Sequence, residues 1–148
     1  ERVTTPMQAM LGDLAADPGA DPLGFLRNDA IRVLRMLTDC ERVQAVFEIK
    51  FCKLDGGPDF DRLRTRELET HSRCLDMLEV VFGAAVRIGQ LPLHLPPRET
   101  AEAMHAFIGG LMRSWIERRD FDLQKSAPWL VDTFLVGLRN APVPDPAS

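Results

Sequence analysis

Apolar positions recur along this chain at the spacing of helical faces, and six stretches can be drawn from them. Val3, Met7, Met10, Leu11 and Leu14 share one face, which ends at the loop ADPGADP, where Pro18, Gly19 and Pro22 break any helix. The chain is therefore expected to begin in mid-helix. Leu23, Leu26, Ala30, Val33, Leu34 and Leu37 predict a second helix of about five turns with Pro22 near its start. After an Asp39-Cys40 corner, Val43, Val46, Phe47, Ile49, Phe51 and Leu54 predict a third, apolar on much of its surface and expected to be buried on more than one side. Gly56-Gly57-Pro58 stops it. From Asp59 to Ile88 no Pro interrupts, and His71, Cys74, Leu75, Leu78, Val81, Phe82, Ala85 and Ile88 follow one face until Gly89 supplies a C-terminal cap signal. The charged first half of that stretch, RLRTRELETHSR, reads as a solvated face.

Beyond the connector QLPLHLPP lie the two stretches around which the chain is organised. In Thr100 to Arg118, Met104, Phe107, Ile108, Leu111, Met112 and Trp115 mark a buried face, and the small residues Ala103, Ala106, Gly110 and Ser114 lie beside it about one turn apart. Another helix could approach closely there. In Lys125 to Arg139, Ala127, Leu130, Val131, Phe134, Leu135 and Leu138 make one face, while Trp129, Thr133, Val136 and Gly137 leave little of the circumference polar. Both stretches read as domain core on one side and subunit interface on the other. No segment alternates with period two and the chain has no Tyr, so the fold class is all-α. The tail PVPDPAS, residues 141–148, is expected to stay flexible.

Composition adds few constraints. At 148 residues with 45% hydrophobic content the chain reads as one domain, residues 1–148, with a sizeable core. A net charge of −4, a pI near 5.4 and the lack of any basic run make it a poor nucleic-acid binder by itself and draw it to no membrane surface. Cys40, Cys52 and Cys74 are odd in number and irregularly spaced, and no signal peptide precedes them, which suggests reduced thiols in a cytoplasmic protein. The chain opens at Glu1 without an initiator Met, so something upstream is expected to have been removed.

Candidate chemistry is sparse. Glu102-x-x-His105 has the spacing of carboxylate-bridged di-iron bundles, and His71-x-x-Cys74 puts two donors on one face, but such a bundle needs its motif twice plus two more inward glutamates. No nucleophile elbow, phosphate loop or pair of carboxylates on an apolar face is present. Three classes stay open on residues alone: a helical sensor, a small all-α enzyme or metal-binding bundle, and a helical interaction module without a ligand.

The stretch AMHAFIGGLMRSWIERRDFDLQKSAPWLVDTFLVGLR, preceded by RIGQLP and by the segment from Glu48 to Lys53, resembles the sensor domain of TetR-family transcriptional regulators. The likeness runs from about Leu23 to Leu138 and is nearest to the AcrR/TtgR-like branch of multidrug efflux repressors. Its most specific parts are Gly89-Gln90-Leu91-Pro92, Gly110-Leu111-Met112 with Trp115, and Phe121-Asp122-Leu123.

The resemblance implies a six-helix ligand-binding and dimerisation domain whose last two helices form a four-helix bundle across a homodimer. It also implies a missing N-terminal helix-turn-helix domain, through which alone operator DNA would be contacted, and makes residues 1–16 the remnant of the connecting helix. Neither catalysis nor a cofactor is implied. Carried over by position, the ligand pocket falls on Met7, Leu11, Leu26, Ala30, Val33, Phe47, Phe51, His71, Cys74, Met77, Leu78, Met104, His105, Ile108, Gly109 and Met112. The dimer interface falls on Ala103, Ala106, Gly110, Ser114, Leu130, Thr133, Phe134, Gly137 and Leu138. Where a relative places Asn and His on the third helix this chain has Phe47 and Phe51, and where it places an acid on the next-to-last helix this chain has Gly109. The pocket is therefore expected to be apolar, to suit neutral or weakly anionic aromatic compounds, and to use His71 and His105 as its polar points.

Overall fold

A computed structural model of the chain describes residues 6–51 and 58–146, with the side chains of Pro6, Met7 and Pro58 excepted. The helices are α1 (Pro6–Ala16), α2 (Pro22–Asp39), α3 (Glu41–Phe51), α4 (Pro58–Arg87), α5 (Pro97–Arg118) and α6 (Leu123–Arg139), and no strand occurs among the described residues. Val3, Cys52, Leu54 and the Gly56-Gly57 stop lie outside them.

The caps explain where the helices begin. Asp21 accepts a hydrogen bond from the Gly24 amide at 2.9 Å, and Pro22 occupies the first turn of α2, where a missing N–H costs nothing. The Asp21 carboxylate lies over Gly24 and leaves no room for a β-carbon there. At the far end of α4, Gly89 takes the left-handed φ of 83° that a side chain would strain, and its turn returns the Gln90 amide to the Ala85 carbonyl at 2.9 Å. Gln90 then ties two helix ends together, accepting from the Leu23 amide at 3.0 Å and donating to Asp21 at 2.6 Å. Leu91 and Leu95 sink into the core beside it. The segment Gly89-Gln90-Leu91 is thus a clamp between the end of α4 and the start of α2.

α2 lies at the centre, packed against α6, α4, α1, α3 and α5, while α5 packs mainly on α4. Leu23, Leu34, Leu37, Val81, Phe82, Leu123 and Val131 are enclosed, which puts the driving apolar burial on α2, α4 and α6. Polar contacts fix how α6 lies on α2. Arg27 makes a two-pronged pair with Asp132, Nε to Oδ1 at 2.5 Å and Nη2 to Oδ2 at 3.0 Å. Pro128, inside α6, has no N–H for the Gln124 carbonyl one turn earlier. The freed oxygen accepts instead from Arg35 Nε at 3.3 Å, and the Gln124 side chain accepts from the Thr38 hydroxyl at 2.6 Å.

One expectation is corrected. No residue of α3 is buried, and Val46 and Ile49 are each 58% exposed, because α3 meets α2 and α5 along one side and no further layer of described residues covers its back. Beyond α6, Ala141 packs on the core and its carbonyl lies 2.9 Å from His94 Nε2.

Candidate functional site

Three helices bring the polar and aromatic candidates together. On α3, Phe47 and Phe51 are one turn apart with ring centroids 5.7 Å from each other, and both rings rest half-buried on the edge of the core. On the facing sides of α4 and α5, His71 and His105 stack at 4.1 Å with 29° between their planes. Cations and acids frame these rings. Lys50 Nζ lies 5.5 Å from the Phe47 centroid, and the Arg113 guanidinium 5.9 Å from that of Phe51. Lys50 reaches across to Glu67 of α4 at 3.0 Å, and Glu102 lies 3.7 Å from His71 Nε2.

This surrounding sets the protonation of two groups. Burial, then the neighbouring His71 and Lys50, holds His105 below the ordinary imidazole range, while Glu102 and Glu67 oppose that shift. Burial pushes the Cys74 thiol up, with Lys50 acting against it, so Cys74 is an uncharged wall residue.

The other expected pocket residues divide by depth. Leu26, Ala30, Leu78, Met104 and Met112 are buried core, whereas Leu11, Val33, Cys74 and Ile108 pack partly exposed against it. Met77 faces α1, where a β-carbon on Gly12 would lie 3.7 Å from its sulfur. A β-carbon on Gly109 would meet nothing within 4 Å. The Met7 side chain is outside the described residues. Two open surface depressions of about 430 and 480 Å³ lie elsewhere, one lined by Arg27, Arg32, Arg35 and Pro128, the other by Glu69, Arg73 and Asp76. Among the described residues no three His, Cys, Asp or Glu side chains come together as metal ligands.

On the opposite side of α5, Ala103, Ala106 and Gly110 are exposed, as are Thr133 and Gly137 of α6. Ser114, Leu130, Phe134 and Leu138 are half-buried beside them. Phe107 stacks on Phe134 at 4.9 Å and joins the two helices into one surface, on which Trp129 is 69% and Val136 50% exposed. A β-carbon on Gly110 or Gly137 would meet nothing within 4 Å.

Sequence reasoning missed the charged frame of the rings, namely Lys50, Glu67 and Arg113. Lys50 stands three residues after Phe47, a spacing that could have paired them. Lys50 with Glu67 and Arg113 with Phe51 cross between helices, which spacing within one helix cannot specify.

Residues 21–139 match the family model for the C-terminal region of MAATS-type transcriptional repressors. The HTH-type transcriptional regulator TtgR of Pseudomonas putida is 32% identical over 123 residues, 82% of this chain and 59% of that protein. AcrR of Shigella flexneri, another HTH-type transcriptional regulator, is 31% identical over 111 residues, 74% of this chain and 51% of that protein. The chain thus spans little more than half the length of these relatives. Among solved structures, NalD, the secondary repressor of the MexAB-OprM multidrug efflux pump in Pseudomonas aeruginosa, superposes with a TM-score of 0.78 at 23% identity, over 92% of this chain and 69% of that one. At that identity the likeness concerns the fold.

Proposed function

Because the chain belongs to the TetR family of transcriptional regulators, as a C-terminal region of the kind found in its MAATS-type repressors, we propose that it senses a small hydrophobic ligand and joins two copies of a repressor. The observation that carries the sensing role is the cluster of Phe47, Phe51, His71, His105 and Ile108, half-buried and drawn from three different helices. A filled core has no need of two stacked imidazoles at its edge, whereas a ligand site uses a few polar groups among apolar walls to fix orientation.

The mechanism is a population shift. A ligand that binds one arrangement of α3, α4 and α5 better than another moves the equilibrium toward it. α1, packed on α4 and α2, passes the change toward an N-terminal helix-turn-helix domain, the only part of such a protein to contact operator DNA. The acidic balance of this chain agrees with that division of labour. By likeness to NalD and to the efflux-repressor branch, the controlled target is a multidrug efflux operon, with the ligand releasing the repressor from DNA. This reading makes the protein a cytoplasmic regulator without catalysis, and no described helix is long and apolar enough to cross a membrane.

Titration of the chain with an environment-sensitive hydrophobic dye, then displacement by planar aromatic compounds, tests the reading. Saturable binding weakened by both Phe51→Ala and Ile108→Ala is expected. Binding unaffected by either variant, or no binding by a folded chain, would remove the site from α3, α4 and α5.

A further inference from the structure

The ring cluster carries more charge than an apolar pocket needs, and the way those charges cancel points to a class of ligand. The inference rests on the reading of this cluster as the ligand site. Among the described residues its fixed charges are Lys50 from α3, Glu67 from α4, and Glu102, Arg113 and Glu117 from α5. Lys50 is paired with Glu67 at 3.0 Å, and Arg113 with Glu117 at 2.9 Å. Glu102 is left over, and the ionisable group beside it is His71, 3.7 Å away. Leaving the imidazoles out, these described charges sum to one uncompensated carboxylate.

An aromatic cation would meet Glu102 favourably, but the faces of Phe47 and Phe51 already carry Lys50 and Arg113 at 5.5 and 5.9 Å. Two cations already stand beside those rings, so a ligand cation would meet like charge there. An aromatic anion finds its ring partners and two flanking cations, yet is opposed by Glu102 until a proton enters. The stacked imidazoles can accept that proton, and at 4.1 Å between centroids they accept one far more readily than two, since like charges that close repel strongly.

We propose that this site binds aromatic acids and that the stacked His71–His105 pair takes up one proton from solvent as the acid's anion binds. The proton goes to a nitrogen of the stacked pair, whose His71 lies 3.7 Å from Glu102 and whose His105 would meet the ligand carboxylate, so that the one positive charge lies between the two acids. No bond is broken. His105 suits the part because burial, His71 and Lys50 keep it neutral near neutral pH before the anion arrives, with Glu102 and Glu67 the opposing groups. The Cys74 thiol, held protonated by burial, adds no charge.

The test uses the whole chain with 2-naphthoate, whose carboxylate stays ionised from about pH 8 to about pH 6, and with 2-naphthamide as its uncharged counterpart. Calorimetric titration in buffers of different ionisation enthalpy counts the protons taken up. Naphthoate is expected to bind up to about tenfold tighter for each pH unit lowered, with up to about one proton absorbed, and naphthamide to bind without either effect. His105→Gln and His71→Gln should flatten the naphthoate slope while still binding naphthamide, which also certifies their fold. Naphthoate binding with no slope and no proton uptake would overturn the proposal, as would a slope kept in both variants. Naphthamide binding without naphthoate binding at any pH would sink the proton-coupled capture and leave the ligand site standing. Failure of both compounds to bind a folded chain would remove the site itself.

Discussion

Ring by ring, stability and affinity should separate. Phe82 is fully enclosed in the core, so Phe82→Ala empties filled space and is expected to cost about 3–5 kcal/mol. Phe51 leaves part of its ring in solvent beside Arg113, so Phe51→Ala should cost well under that and weaken dye binding instead. Urea denaturation of both variants checks the contrast, and equal losses would make Phe51 ordinary core. A second effect concerns pH. His105 titrates lower in the folded chain than the ordinary imidazole value, so the unfolded chain binds the proton more readily. Its contribution to stability is therefore complete above about pH 6.5 and is lost as pH falls through the folded value. Melting curves across that window should decline for the parent chain and decline less for His105→Gln. The rings and imidazoles were legible in the sequence because spacing and family likeness both pointed to them. Glu102 as the partner of His71 was not, since that pairing depends on how α4 and α5 are rotated against each other.

Between neighbouring elements, α3 is where the sequence misled and where the chain should yield first. Val46 and Ile49 promised burial by their periodicity, but an apolar count cannot say whether a second layer exists to cover a helix. α3 is instead held from one side, partly through Arg119 just beyond the end of α5. Arg119 adopts the left-handed φ of 52°, lays its guanidinium 4.9 Å from the Trp115 ring, and donates to Gln44 at 3.0 Å and Glu48 at 2.5 Å. These contacts are largely exposed, so they position α3 more than they stabilise the fold. Hydrogen exchange should find α3 less protected than α2 or α6, and Arg119→Ala should speed exchange in α3 while leaving the α2 core amides unchanged. Uniform acceleration through the molecule would show that α3 belongs to the global unfolding unit. The last two helices both begin earlier than the expected Thr100 and Lys125. α5 begins three residues before the expected Thr100 because Pro97 suits a first turn, and α6 begins at Leu123 because Asp122 accepts from the Lys125 amide at 3.0 Å. Asp122→Ala should accordingly cost about 1 kcal/mol, measurable by thermal unfolding.

For the whole molecule, the division of α5 and α6 into an enclosed face and an open one bears on the proposed pairing of two copies. Met104, Met112, Ala127, Val131 and Leu135 are buried within the subunit, while Ala103, Ala106, Gly110, Thr133, Gly137, Trp129 and Val136 are exposed. The sequence exposed this division directly, because an apolar circumference on a helix that can bury only one side leaves the remainder for something else. A second copy is the occupant we favour. The small residues allow close backbone approach, and the open space over Gly110 and Gly137 is unfilled by any side chain of their own subunit. A two-fold arrangement would set the same stripe against itself, as self-complementary interfaces require. Gly110→Arg gives a clean test, since a β-carbon there meets nothing within 4 Å in its own subunit and the substitution should leave secondary structure intact. The parent chain is expected to sediment as a dimer at micromolar concentration and Gly110→Arg as a folded monomer. A parent that sediments as a monomer, with the variant indistinguishable from it, would leave the α5–α6 surface without a role in pairing two sensors, and the coupling of ligand binding to a paired DNA-reading domain would have to run through another part of the full-length protein.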